Sequence, residues 1–164
     1  AQADKFRFAH LQEAVTFVPF GVAVDAFQHI CYANPDLTPK ERTLEWKKLE
    51  QEYMPWRAYD ADDFFDRGGY WYHKIHIYLY PMYYINYTLT TMGAMEFKKK
   101  EKEDHACAWA DYLNLCKCGG SMSYLETLRY ANVSNPFEQG SVARAVGVAR
   151  DELMNSKFMN NKFM

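Results

Sequence analysis

His76-Ile77-Tyr78-Leu79-Tyr80-Pro81-Met82-Tyr83-Tyr84-Ile85-Asn86-Tyr87 is the stretch whose reading decides the fold. Apolar and polar residues do not alternate along it, so it reads as helix rather than strand. The helical reading extends from Tyr70 to about Lys102, with Pro81 expected to kink or divide it. On a helix, His76, Tyr80, Tyr84 and Tyr87 are spaced four, four and three apart and share one face. Seven of the thirteen tyrosines fall between Tyr70 and Tyr87. A face of hydroxyls with one imidazole makes a poor core stripe, but it can donate hydrogen bonds to developing negative charge. The competing reading is a buried aromatic seam whose hydroxyls bond to backbone or water. Gly68-Gly69 just before the run and Pro81 within it favour a surface that grips and releases a ligand.

Outward from this run the signals stay helical. Lys5 to Phe17 reads as a helix ending before Pro19, and Gly21 to Tyr32 as a second, stopped by Asn34-Pro35. Thr38-Pro39-Lys40-Glu41 is a start signal: Thr38 caps, Pro39 suits the first helical position and Glu41 completes a capping box. That helix ends at Pro55, and Asp60 is a candidate cap for a short helix before the glycine pair. Asp104 to Lys117 is closed by Gly119-Gly120, and Ser123-Tyr-Leu-Glu126 opens a helix running to about Asn132. Ser141 to Leu153 is the last helix. The expected fold is all-α, a multi-helix body over residues 1–154, with Asn155 to Met164 a frayed or non-native tail.

The 164 residues suffice for a domain with a real core, and an apolar fraction of 49% suits a soluble globular chain. A net charge of −2 argues against a nucleic-acid partner; the only basic cluster, Lys98-Lys99-Lys100, runs directly into Glu101, Glu103 and Asp104. Ile75 to Phe97 is apolar enough to suggest a membrane span, but His76, Asn86, Pro81 and the tyrosines would lack partners in lipid, so no membrane is expected. The start lacks a signal peptide and reads as the interior of a longer polypeptide. Four scattered cysteines do not form a secreted disulfide framework, and a cytoplasmic location with reduced thiols is expected.

None of His10, His29, His73, His76 and His105 is followed by Glu, so the His-Glu-x-x-His zinc signature is missing. His73-x-x-His76 has a permissible ligand spacing without an evident carboxylate partner. His105-x-Cys107 and Cys116-Lys-Cys118 are spaced unlike structural zinc pairs and read as small buried thiols. No phosphate loop, nucleophile elbow or calcium loop is present.

Several ordered motifs carry a resemblance. They are Phe20-Gly-Val-Ala-Val-Asp25-x-Phe-Gln-His29, Asn34-Pro35-x-Leu-Thr-Pro-x-Glu-Arg42, Tyr53-x-Pro-Trp-Arg57 and Gly68-Gly-Tyr-Trp71. His76-Ile-x-x-x-Pro-x-Tyr-Tyr-Ile-x-Tyr87, Tyr112-Leu-x-Leu-Cys-x-x-Gly-Gly-Ser121 and Ser134-x-Pro-Phe-Glu138 follow in order. Over about residues 4 to 153 the chain resembles the C-terminal portion of oligoendopeptidase F, in the thimet-oligopeptidase-like family of zinc peptidases.

The resemblance implies a helical metallopeptidase that cuts short peptides in a channel. Its zinc would be held in the full-length enzyme by residues upstream of this chain, with no metal expected on this chain alone. It implies catalytic roles for His76, Tyr84 and Tyr87, and substrate contact by Tyr80, Tyr83, His73, Gly68, Gly69 and Trp71. The expected partners are short peptide substrates and the missing N-terminal part of the same enzyme, and the isolated chain is expected to be inactive. Two other readings stay open: a non-catalytic helical peptide-binding module, and one part of a two-chain protease.

Overall fold

The computed structural model describes residues 2–59 and 63–159. Among these residues the elements are helical, with no strand: α1 (Gln2–Ala33), α2 (Pro39–Tyr53), α3 (Asp63–Asp66), a 3₁₀ turn (Gly69–His73), α4 (Ile75–Leu79), α5 (Ile85–Glu103), α6 (His105–Cys118), α7 (Tyr124–Tyr130) and α8 (Ser141–Met154). The all-α expectation holds. The proposed cap at Asp60 and the tail beyond Met159 lie outside the described residues. The contacts divide the chain into two compact units, one of Thr16–Thr88 and one of Ala1–Val15 with Leu89–Met164.

Two expected boundaries move. Pro19 does not separate two helices; it sits inside the single helix α1. A proline in a helix interior costs about 3 kcal/mol, because it removes one backbone bond and crowds the preceding turn. Val18, Phe20, Ala23, Val24 and Phe27 flank it and are all buried. Burying each of the Val and Phe side chains contributes about 1.5–3 kcal/mol, so the apolar stripe outweighs the break. α1 is also, by length and composition alone, long and apolar enough to cross a membrane; here its stripe is core of the Thr16–Thr88 unit. The second moved boundary is the expected run from Tyr70, which begins as the 3₁₀ turn and α4 and becomes a long helix only from Ile85.

The Thr16–Thr88 core gathers Phe20, Ala23, Val24 and Phe27 of α1 around Trp46 and Leu49 of α2, with Met54, Trp71 and Tyr84. Its aromatic rings meet mostly edge to face, the arrangement their quadrupoles favour: Phe27–Trp46 at 5.4 Å, Phe20–Trp46 at 6.3 Å and Phe20–Tyr70 at 6.0 Å. The capping box at Thr38 is formed, with Thr38 Oγ1 and N–H both donating to Glu41 Oε2 at 2.6 and 2.8 Å.

In the other unit Leu128, Ala131 and Val133 form a small core with Phe97, Leu115 and Leu125. A polar knot around the buried carboxylate of Asp111 joins α5, α6 and the turn after α7. Lys100 Nζ donates to Asp111 Oδ2 at 2.5 Å and to the Asn132 carbonyl at 2.7 Å, and Asn132 Nδ2 donates to Asp111 Oδ1 at 2.7 Å. Asn132 adopts a left-handed conformation, φ 51°, which its short polar side chain tolerates. Glu152 of α8 holds Lys98 and Lys102 at 2.8 and 2.5 Å. The reading of the cysteines as small buried thiols holds for Cys118 only. Cys31 is half-buried, and Cys107 and Cys116 are exposed.

Candidate functional site

The tyrosine run forms a cluster rather than a helical stripe. α4 stops at Leu79, Tyr80 closes it by donating its N–H to the His76 carbonyl at 2.9 Å, and Pro81 cannot continue the ladder. Met82 follows in a left-handed conformation, φ 55°, unusual for a residue with a long side chain. A short turn, with Asn86 N–H on the Tyr83 carbonyl and Tyr87 N–H on the Tyr84 carbonyl, each at 3.1 Å, starts α5.

This reversal returns Tyr84 and Tyr87 to the imidazole of His76. Its ring centroid lies 5.1 Å from Tyr84, 5.7 Å from Tyr87 and 5.7 Å from Tyr80. Tyr83 stands 5.5 Å from Tyr87 and 6.1 Å from Tyr80. The structure therefore brings together His76, Tyr80, Tyr83, Tyr84 and Tyr87, five of the nine residues singled out from the sequence.

The five differ in exposure. Tyr84 is 5% exposed and packs on Phe17 and Phe20 at 6.0 and 5.9 Å, so it anchors the cluster to α1. Tyr80, Tyr83 and Tyr87 are 52%, 45% and 39% exposed and form the solvent-facing side of the cluster. Burial, with Tyr87 and Tyr70 nearby, pushes the Tyr84 phenol above its ordinary range. A side-chain hydrogen bond with Tyr83 does the same for Tyr87. An ordinary phenol titrates at about 10, so both keep their protons at neutral pH and can donate hydrogen bonds.

The other four sequence candidates sit elsewhere. Trp71 is 5% exposed in the core, 5.0 Å from Phe27, with Nε1 donating to Thr43 Oγ1 at 3.5 Å. His73 packs against Phe65 and Tyr70 at 4.7 and 5.2 Å. Gly68 has φ 101° and lies against α2, where a Cβ would come within 2.4 Å of the Thr43 carbonyl oxygen; one on Gly69 would come within 2.5 Å of the Phe64 ring. Close packing of the 3₁₀ turn between α2 and α3 accounts for this glycine pair.

Two cations near the cluster escaped the sequence reading. Lys74 Nζ sits 4.7 Å from the centre of Phe20 and 5.6 Å from that of Tyr84. Burial, with Arg57 close by, lowers its pKa. Arg57 lies over Tyr70 at 4.4 Å and pairs with Glu50 at 3.6 Å, and Glu50 also accepts a hydrogen bond from Tyr59. The motif Tyr53-x-Pro-Trp-Arg57 was the available signal for Arg57. Lys74 had none, because its burial depends on the turn at Pro81.

A resident zinc does not fit the described residues. Among the described residues no group of three or more His, Cys, Asp and Glu side chains could hold a metal ion. His73 and His76 also face different neighbours.

No family model and no curated protein matches the chain. Solved structures do. A protein assigned as oligoendopeptidase F is 48% identical, with a TM-score of 0.89 over 94% of this chain. The chain is a relative of oligoendopeptidase F. PZ peptidase A, solved with an inhibitor, is 45% identical, again with a TM-score of 0.89 over 94% of this chain. A Bacillus anthracis strain Ames protein assigned as oligoendopeptidase F is 36% identical, with a TM-score of 0.75 over 95%. The chain spans about a quarter of the length of these relatives: 27%, 28% and 24%. It is thus a peptidase-related helical chain that corresponds to a minor part of each relative.

Proposed function

We propose that this chain is the C-terminal, substrate-binding part of a zinc-dependent oligoendopeptidase that hydrolyses short peptides. The observation that carries the reading is the convergence of His76, Tyr80, Tyr83 and Tyr87 on one exposed face, anchored by buried Tyr84. When a peptide bond is attacked, its carbonyl oxygen becomes an oxyanion, and donors already oriented toward it lower the barrier. Tyr87 and His76 are the donors within reach of a bound peptide. Tyr80 and Tyr83 give aromatic contact to its side chains, and Tyr84 positions the other two rings. In this reading the remainder of the enzyme supplies the zinc and the group that activates water.

The test has two arms. The 164-residue chain is assayed with a quenched fluorescent peptide and its zinc measured by elemental analysis; neither turnover nor stoichiometric metal is expected. In the full-length enzyme, Tyr87→Phe should lower kcat by about 10²–10³-fold, the typical value of one oxyanion donor, with little change in KM. Turnover with bound zinc in the isolated chain, or an unchanged kcat in the variant, would overturn the reading.

A further inference from the structure

Lys74 links the 3₁₀ turn to α4, and its ammonium rests on ring faces instead of a carboxylate. Nζ lies 4.7 Å from the centre of Phe20 and 5.6 Å from that of Tyr84. Both rings are buried, whereas the lysine is partly exposed and its ammonium is not sealed from water.

The charged groups around Lys74 leave it without a counter-ion. Glu50 is 4% exposed and already engaged, pairing with Arg57 at 3.6 Å and accepting the Tyr59 hydroxyl. Asp63 and Asp66 pair with Arg67 and Lys47. Burial and the Arg57 guanidinium both disfavour the charged form of Lys74, and no carboxylate offsets them. Ring faces attract a cation, but they do not replace the hydrogen bonds that an ammonium's three donors make in water. A carboxylate replaces them with charge-assisted bonds, the stronger kind.

The position of this surplus charge gives it a use. Tyr84 packs against both Lys74 and His76, whose ring centroid is 5.1 Å from its own. Ammonium and imidazole therefore lie within about 11 Å of each other, the reach of three residues of extended peptide.

We propose that Lys74 is a specificity-determining residue that binds a carboxylate of the peptide substrate, an acidic side chain or a free C-terminus, up to three residues from the carbonyl held at His76 and Tyr87. This rests on the peptide-hydrolase reading above.

The full-length enzyme is assayed with a quenched fluorescent peptide that carries Gln around the cleaved bond and ends in an amide. Each Gln within three residues of the bond is replaced in turn by Glu, and a further peptide ends there in a free carboxylate. At least one carboxylate peptide should be cut with kcat/KM about tenfold above the neutral one. Lys74→Met should remove that preference and Lys74→Arg should keep most of it. The Glu peptides and the free-acid peptide separate an acidic side chain from a C-terminus. Cleavage without a carboxylate preference, or a preference that survives Lys74→Met, would overturn the proposal and leave the hydrolase reading standing. No cleavage of any peptide would remove both.

In the 164-residue chain, Lys74→Met should raise the melting temperature at neutral pH, because it removes a charge that burial and Arg57 disfavour. The gap between the two chains should close as pH rises toward the ordinary lysine range, where the native side chain loses its proton. A lower melting temperature for Lys74→Met would mean that the ammonium clamps Phe20 and Tyr84, and would overturn the proposal.

Discussion

Gly21 of α1 meets Thr88 in the first turns of α5, directly after the residue proposed to face substrate. A Cβ built on Gly21 would fall 1.9 Å from Thr88 Oγ1 and 3.3 Å from Thr88 Cβ, while the next contact, Phe17 Cε1, is an ordinary 3.8 Å. Thr88 is 1% exposed and its hydroxyl has no partner. Gly21→Ala therefore carries two opposed effects. Alanine in a helix interior gains about 1 kcal/mol over glycine. The clash forces a side chain off its rotamer or the backbone aside, at about 1–3 kcal/mol. Thr88→Ala removes the atom at 1.9 Å and deletes an unmatched buried hydroxyl, so alone it should change stability little. The decisive quantity is the coupling. Gly21→Ala should destabilise the native chain, yet cost little or even stabilise in the Thr88→Ala background, giving an interaction of about 1–3 kcal/mol.

Urea unfolding of the four chains, followed by far-ultraviolet circular dichroism, measures this cycle, provided the slopes agree so that midpoints report stability. Effects that add within about 0.5 kcal/mol would refute the close approach of these two helices at Gly21 and Thr88. The cycle bears on function as well. In the full-length enzyme Gly21→Ala should disturb Tyr84 and Tyr87, which lie next to Thr88, and Thr88→Ala should restore peptide turnover along with stability.

Three further outcomes follow from the geometry. The hydroxyl and then the N–H of Thr38 hold the Glu41 carboxyl below its usual value of about 4.5, and Ser123 does the same for Glu126; this stability is full above the usual glutamate range and is lost as pH falls through the depressed values. Glu41→Gln with Glu126→Gln keeps both caps neutral, so the melting temperature should fall less steeply with acid, and an unchanged profile would count against the effect. Asp111→Ala should lower the melting temperature more than the paired change Lys100→Met with Asp111→Leu, because the single change leaves the half-buried Lys100 ammonium without its carboxylate; the reverse order would show that the ion pair does not hold the knot. Pro19→Ala should stabilise the chain by about 2 kcal/mol in urea unfolding, since α1 already continues through that position and regains a backbone donor, whereas a loss would mean that the helix needs the ring there.

Local signals were legible where they depend on neighbours in sequence. Thr38-Pro39-Lys40-Glu41 and Ser123-Tyr-Leu-Glu126 announce helix starts because the capping bonds close within four residues, and both form. Pro81 was read as a divider, and it divides. Pro19 was misjudged because the same local rule competes there with a core that the sequence does not display. Trp71 shows the matching limit for the site. Its motif placed it beside the tyrosines, but its burial is set by Phe27 and Thr43, residues from two other helices. The unmatched Gln28 amide, buried in α1, had no sequence signature at all, since glutamine at a helical core position looks the same whether or not a partner reaches it.

The break at Pro81 also explains why the tyrosine run can act as one site. On an unbroken helix His76 and Tyr87 would be eleven residues apart, which at 1.5 Å of rise per residue separates them by about 16 Å along the axis. Their rings are 5.7 Å apart. A continuous stripe would distribute its donors along a bound peptide, one for each turn, and offer a single carbonyl no more than one of them. The reversal through Tyr80, Pro81 and Met82 folds the stripe onto itself and brings the His76 and Tyr87 rings together. In the proposed function this adjacency puts two donors near one developing charge. Met82 carries a left-handed φ of 55° with a full side chain, a conformation that costs about 1–2 kcal/mol. That cost falls within the reversal through Tyr80, Pro81 and Met82, and what the reversal yields is the approach of His76 to Tyr87.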